Sequence, residues 1–204
     1  MSNIVKNPED YFRQLLHPRD DVLVALEEEA EGENIPIVGP VVGELLSLLV
    51  RVSGAISILE LGTATGYSAI FLARGCDFQE GQVITLENDQ KMADRAEQNI
   101  HRAGLAERIE IKVGDALDAI QKMTTSFDLV FMDIEKKDYI RALPDCHRLL
   151  KPGGLLVADN VGFADADDFN HAILEHSSWR SIHLFSFLPF HSPEHDGLCL
   201  AVRL

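Results

Sequence analysis

From Ile56 onward, short and almost wholly apolar runs alternate with longer amphipathic stretches, and few folds accept that pattern. The runs are Ile56–Leu61, Val83–Leu86, Ile109–Val113, Leu129–Met132 and Leu155–Ala158. The stretches between them, such as Lys91–Ala103 and Tyr139–Leu150, suit helices. A strand apolar at nearly every position has to be covered on both faces, which implies a parallel sheet with helices on either side. The last two runs, Ser181–Leu188 and Leu198–Leu204, are joined by a polar loop and read as an antiparallel pair closing one edge. Ahead of the alternation lie amphipathic helices at Asp10–Leu16 and Asp20–Ala30, the latter with Asp20 or Asp21 as N-cap and Gly32 just past its end. Pro36 and Pro40 break the chain before apolar residues resume helical spacing over Val41–Val52. The expected fold is α/β and doubly wound. It has a mostly parallel seven-stranded sheet, an antiparallel C-terminal edge hairpin and N-terminal helices. Residues 1–204 are expected to form one domain, with 1–53 as its helical extension.

Bulk properties narrow the partners. A chain of 204 residues can bury roughly 70% of its unfolded surface in one domain. Lys and Arg number 18 against 33 Asp and Glu, a formal net charge of -15. An acidic surface repels phosphate backbones, which counts against a nucleic-acid partner. No apolar run reaches the roughly 20 residues of a bilayer span. The start, MSNIVKNPEDYF, lacks a basic segment followed by an apolar one, so no secretory leader and no membrane partner are expected. Cys76, Cys146 and Cys199 are too few and too scattered for a disulfide framework. Reduced thiols and a cytoplasmic location are the expectation.

In doubly wound sheets ligands bind beyond the carboxyl ends of the strands. The first strand runs into ILELGTATGYS, residues 58–68. Gly62 allows a ligand to approach the backbone, and Gly66 permits close packing or an unusual dihedral. The N–H groups of the helix that follows can bind a carboxylate. A tight turn with no ligand explains the glycines equally well. The spacing is GxxxG, whereas a dinucleotide fingerprint is GxGxxG. Glu87 ends the second strand, where an acid can accept from both ribose hydroxyls. Asp115 follows the third strand, where it can accept from an adenine amino group or simply cap a helix.

The ordered set LELGTATGYSAIFLA, VITLE, VGDAL, FDLVFMDIEKKDY and GGLLVADNV resembles the cation-dependent O-methyltransferases, the family of catechol and caffeoyl-coenzyme A O-methyltransferases and their bacterial relatives. The likeness runs over roughly residues 35 to 204. It implies a Rossmann-like fold, S-adenosyl-L-methionine as cofactor, a hydroxylated small molecule such as a catechol-like phenol as acceptor, and a homodimer. Carried across residue by residue, it implies cofactor contacts at Glu60, Gly62, Thr63, Ser68, Glu87, Asp115 and Ala116.

Asp133 ends the fourth strand, and Asp159 and Asn160 end the fifth. If those strands are neighbours, three oxygen donors converge, a set suited to Mg²⁺, with Mn²⁺ or Ca²⁺ as alternatives. Taken singly, Asp133 could be an N-cap and Asp159-Asn160 a turn. The family's Asp…Asp-Asn triad favours the metal. The resemblance also makes Lys136 the catalytic base beside Asp133, with Lys137 its rival. Where the family often has a tryptophan and a longer insertion, this chain has Phe163 and a shortened segment, which weakens any transfer of substrate identity. Residues 189–196 could line the acceptor pocket. For them an ordinary polar hairpin loop is preferred over a metal role for His191 or His195, since the histidines show neither HExxH nor HxH spacing. Trp179 is expected to pack. Two other readings remain, a nicotinamide-dependent oxidoreductase and a non-catalytic protein that binds the same cofactor.

Overall fold

The computed structural model describes residues 4–76 and 81–204. The stretch read for a leader begins at residues 1–3, which lie outside the described residues. Three helices come first: α1 (Pro8–Arg13), α2 (Asp21–Glu33) and α3 (Gly39–Ser53). The alternation follows as β1 (Ser57–Leu61), α4 (Tyr67–Gly75), β2 (Gln82–Glu87), α5 (Gln90–Arg102), β3 (Ile109–Val113), α6 (Ala116–Lys122) and β4 (Phe127–Met132). After it come α7 (Tyr139–Leu149), β5 (Leu150–Ala158), α8 (Asp167–Glu175), β6 (Trp179–Phe187) and β7 (His195–Arg203). One sheet holds all seven strands in the order β3-β2-β1-β4-β5-β7-β6. The first five are parallel, and β7 runs against both β5 and β6.

The inner strands β1, β4 and β5 are covered on both sides, as continuous apolar runs require, while β3 at the sheet edge is largely exposed. On one face Ile58, Val83, Leu129, Phe131 and Val157 pack with Leu26 of α2, Leu46 of α3 and Ile70 of α4. On the other, Leu59, Leu86, Val130, Met132 and Leu156 pack with Ile120 of α6, Tyr139 of α7 and Phe169 of α8. Trp179 is buried in this second layer, and all three cysteines are free and buried. Among the described residues no helix is long and apolar enough to cross a membrane.

Element boundaries depart from the sequence reading where end chemistry decides. Asp20 caps α2 by accepting from the Leu23 N–H. That helix then runs through Gly32 and ends at Asn34, which takes the left-handed conformation in the glycine's stead. Pro40 does not break the chain. It stands in the first turn of α3, where its missing N–H removes a donor that would have no helical partner anyway.

Crossing from β1 to β4 and back reverses the winding, so β1 and β4 are central neighbours, and β5 lies beside β4 with Met132 opposite Ala158. The loops after these strands leave side by side. Gly62 N–H donates to Leu86 O, Asp133 N–H to Leu61 O and Asp159 N–H to Met132 O, at 3.0, 2.8 and 3.0 Å. This stagger gathers the strand-end residues at one rim.

Candidate active site

A cavity of about 300 Å³ opens at that rim, the lower end of the usual size for small-molecule pockets. Gly62, Thr63, Ser68, Glu87, Asp115 and Ala116 line one part of it, and Asp133, Lys136, Asp159 and Asn160 line another. Pro36, Ile37 and Val38, from the segment before α3, complete the wall.

Gly62 has φ +100°, and a Cβ there would stand 2.1 Å from the carbonyl oxygen of Asp133. The position therefore demands glycine because two strand ends are pressed together, apart from any ligand. Gly66, at φ +84°, starts α4. Glu87 accepts from the Ala64 N–H at 2.8 Å with one carboxylate oxygen and from the Asp89 N–H at 3.0 Å with the other. Each oxygen keeps acceptor capacity, so a diol laid across the carboxylate finds two acceptors already oriented. Asp115 caps α6 by accepting from the Asp118 N–H, as one of its two sequence readings expected, and it also lines the cavity.

Glu60 lies behind the other residues of this set. It is fully buried and does not belong to the cavity wall. It stands opposite Thr85 in register and accepts that hydroxyl's proton at 2.6 Å, while Thr63 meets Thr85 at 2.5 Å. It is linked to Thr63 through the Thr85 hydroxyl. Burial pushes the Glu60 carboxyl up to about 8, against the pull of the Ser68 and Thr85 hydroxyls.

At the second part of the wall two acids stand close, each with a cationic partner. Lys136 Nζ donates to Asp133 Oδ1 at 2.9 Å. Burial and the neighbouring Asp159 charge raise the Asp133 carboxyl despite Lys136. Asp159 holds His191, whose Nε2 lies 2.9 Å from both carboxylate oxygens. Burial alone would lower this imidazole, but its bond to Asp159 raises it. Residues 189–196 are thus more than the polar hairpin loop preferred from sequence, because one of their histidines is buried against a strand-end acid.

Two further residues were not legible as site builders. Tyr139 Oη sits 3.2 Å from Met132 O and 3.0 Å from Asp159 O, fastening the end of β4 to that of β5. Asp196, buried at the start of β7, accepts from Asn160 Nδ2 at 2.6 Å. It also accepts from the Gly162 N–H, and Ser192 O takes Asn160 Nδ2 at 3.2 Å. The amide nitrogen is so occupied that Asn160 presents its oxygen as the available donor. Asn160 also has φ +49°, a conformation asparagine tolerates better than most residues. The one signal for Asp196 was its place in the Pro-Phe-His-Ser-Pro-Glu-His-Asp run.

This donor set fits a hard cation. Two adjoining carboxylates, Asp159 buried and Asp133 half-buried, repel one another and are relieved by positive charge, and an amide oxygen stands with them. Among the described residues no three His, Cys, Asp or Glu side chains are gathered closely enough to hold an ion by themselves. The Asn160 oxygen and water would have to complete the set.

The family model described as O-methyltransferase matches residues 20–172. A catechol O-methyltransferase of Niastella koreensis is 38% identical over 166 residues, 78% of this chain and 75% of that protein. Among solved structures, an O-methyltransferase from Bacillus cereus in complex with SAH superposes with a TM-score of 0.86 at 32% identity, covering 96% of each chain. The O-methyltransferase TomG from Streptomyces achromogenes, in complex with SAM, gives 0.85 at 29% identity over 96% of this chain and 95% of that one.

Proposed function

Since this chain belongs to the O-methyltransferase family and is an S-adenosylmethionine-dependent enzyme, we propose that it methylates a hydroxyl of a catechol-like small molecule with the help of a divalent cation. Residues 1–204 act in this reading as one catalytic domain. The observation that carries it is the meeting, in one cavity, of the Glu87 rim and the Asp133, Asp159, Asn160 rim. The GxxxG turn and the family together set aside the nicotinamide reading.

Glu87 accepts from the ribose hydroxyls, and Asp115 and Ala116 border the adenine. Gly62 and Thr63 bring backbone close to the amino-acid end. Asp133, Asp159 and Asn160 hold the cation. When bound, the sulfonium would supply an activated methyl group, and a cation held by these residues would stabilise the acceptor's oxyanion. That stabilisation matters because a phenol, with pKa near about 10, is scarcely ionised at neutral pH. Lys136, once Asp133 is engaged elsewhere, loses its present partner and takes the hydroxyl proton at Nζ. The walls otherwise align acceptor oxygen and methyl carbon for in-line transfer. The test is an acceptor screen read by mass spectrometry with Mg²⁺ present. A diol-bearing aromatic should gain the mass of one CH₂. Methylation confined to thiols or amines would overturn the reading.

A further inference from the structure

We propose that the outer edge of β6 is a contact surface for a second copy of this chain, the two β6 strands pairing antiparallel about a two-fold axis at His183. β6 ends the sheet, and β7 is its one strand neighbour among the described residues. The β6–β7 register runs unbroken from Trp179 to Phe187. Just beyond its two ends, Leu188 N–H donates to Glu194 O at 2.6 Å and Leu204 N–H to Ser178 O at 2.9 Å. Opposed residues of an antiparallel pair alternate between bonded and non-bonded. Even-numbered residues of β6 therefore turn their N–H and C=O groups toward β7, and Ser181, His183 and Phe185 turn theirs outward. Such an edge is a template for another strand.

Proteins normally blunt an edge with lysine, proline, a bulge or a short strand. The opposite edge of this sheet does so: β3 has five residues, and Glu110 and Lys112 stand in it. β6 has nine residues with no lysine or proline, and 182–186 are all exposed. Ile182, Leu184 and Phe185 are 53%, 41% and 74% exposed. Between β6 and α8 the apolar surface deepens into a groove of about 290 Å³, lined in part by Val161, Leu174, Leu184 and Phe185. Charge and register select a second copy as the occupant. The formal net charge is -15, so copies repel over most of their surfaces, yet no Asp or Glu occurs from His176 to Pro193. His183 is the midpoint of the strand. A two-fold axis there sets Ser181 of each copy opposite Phe185 of the other and joins their outward backbone groups. Ile182 of each copy then faces Leu184 of the other in a non-bonded pair, the kind with the closer side chains. The patch is thus self-complementary, as a closed two-fold contact requires.

The experiment uses the full chain. Light scattering over a concentration series should show a species of twice the chain's mass that dissociates on dilution. His183→Cys should cross-link to its own copy with diamide as oxidant, because bonded opposite residues have Cα atoms about 5.5 Å apart, within disulfide range. The three natural cysteines are buried and give the wild type no such cross-link. Ile182→Lys, at an exposed position, should leave a species of single mass by setting a charge into both apolar contacts. Both variants should bind S-adenosylmethionine as the wild type does, since neither residue lines the cavity at the strand-end rim. A wild-type chain of single mass at every concentration overturns the proposal. So does a dimer that Ile182→Lys leaves intact, or one in which His183→Cys does not cross-link. None of these results bears on the methylation reading, which the acceptor screen tests.

Discussion

At the scale of single residues, the rim separates groups that the sequence left as rivals. Lys136 lines the cavity and reaches Asp133, whereas Lys137 is exposed and outside it. Lys136→Ala should therefore lower kcat by ~10²–10⁴-fold, the usual contribution of a positioned base, and Lys137→Ala should leave it close to wild type. Equal losses in steady-state assays would contradict the assignment. Glu87→Ala should weaken S-adenosylmethionine binding by about 1–3 kcal/mol in calorimetry. Unchanged affinity would remove Glu87 from the cofactor site. Glu60 makes a different prediction, about stability. Its folded carboxyl titrates near 8, well above an ordinary glutamate, so the folded state binds more protons than the unfolded state between those values. Its contribution is greatest below the unfolded value and is lost as pH rises toward about 8. Glu60→Gln, neutral throughout, should flatten that part of the urea-midpoint profile. A variant with the parent's slope would show that Glu60 is not the titrating group.

At the scale of elements, strand ends do the positioning, and they were also the part most legible in sequence. Continuous apolar runs identified the inner parallel strands, because burial on both faces leaves no room for polar alternation, whereas β3, at the sheet edge, alternates as Ile-Glu-Ile-Lys-Val. The GxxxG turn located the rim, and the placement of Asp133 and Asp159 on neighbouring strands followed once β4 and β5 paired. The burial of Glu60 was not legible because motif position says nothing about which way a strand residue faces. His191, Asp196 and Tyr139 were missed because their partners lie far along the chain, 32, 36 and 20 residues away. No spacing rule reports a contact that only the folded β5–β7 and β4–β5 pairings create. Gly62 offers the sharpest test at this scale. Gly62→Ala sets a Cβ against Asp133 O at a positive φ. The cost should be about 2–5 kcal/mol, combining left-handed strain of ~1–2 with a clash of ~1–3. Urea unfolding checks this, and a loss below about 1 kcal/mol would mean that the strand ends separate freely.

At the scale of the whole molecule, the sheet brings Glu87 and the strand-end residues Asp133, Asp159 and Asn160 to one cavity, and a net charge of -15 suits a small acceptor better than a polyanion. The central claim is that transfer needs the cation while cofactor binding does not. Initial methylation rate against Mg²⁺ concentration, for wild-type protein and Asp159→Ala, tests this most directly. S-adenosylmethionine affinity is measured on the same samples by calorimetry. EDTA should abolish wild-type activity and Mg²⁺ should restore it. Asp159→Ala should bind S-adenosylmethionine nearly as well as wild type, yet transfer methyl only at far higher Mg²⁺, since a negatively charged oxygen donor is gone. Full wild-type activity in EDTA, or the same Mg²⁺ response in both proteins, would contradict the account.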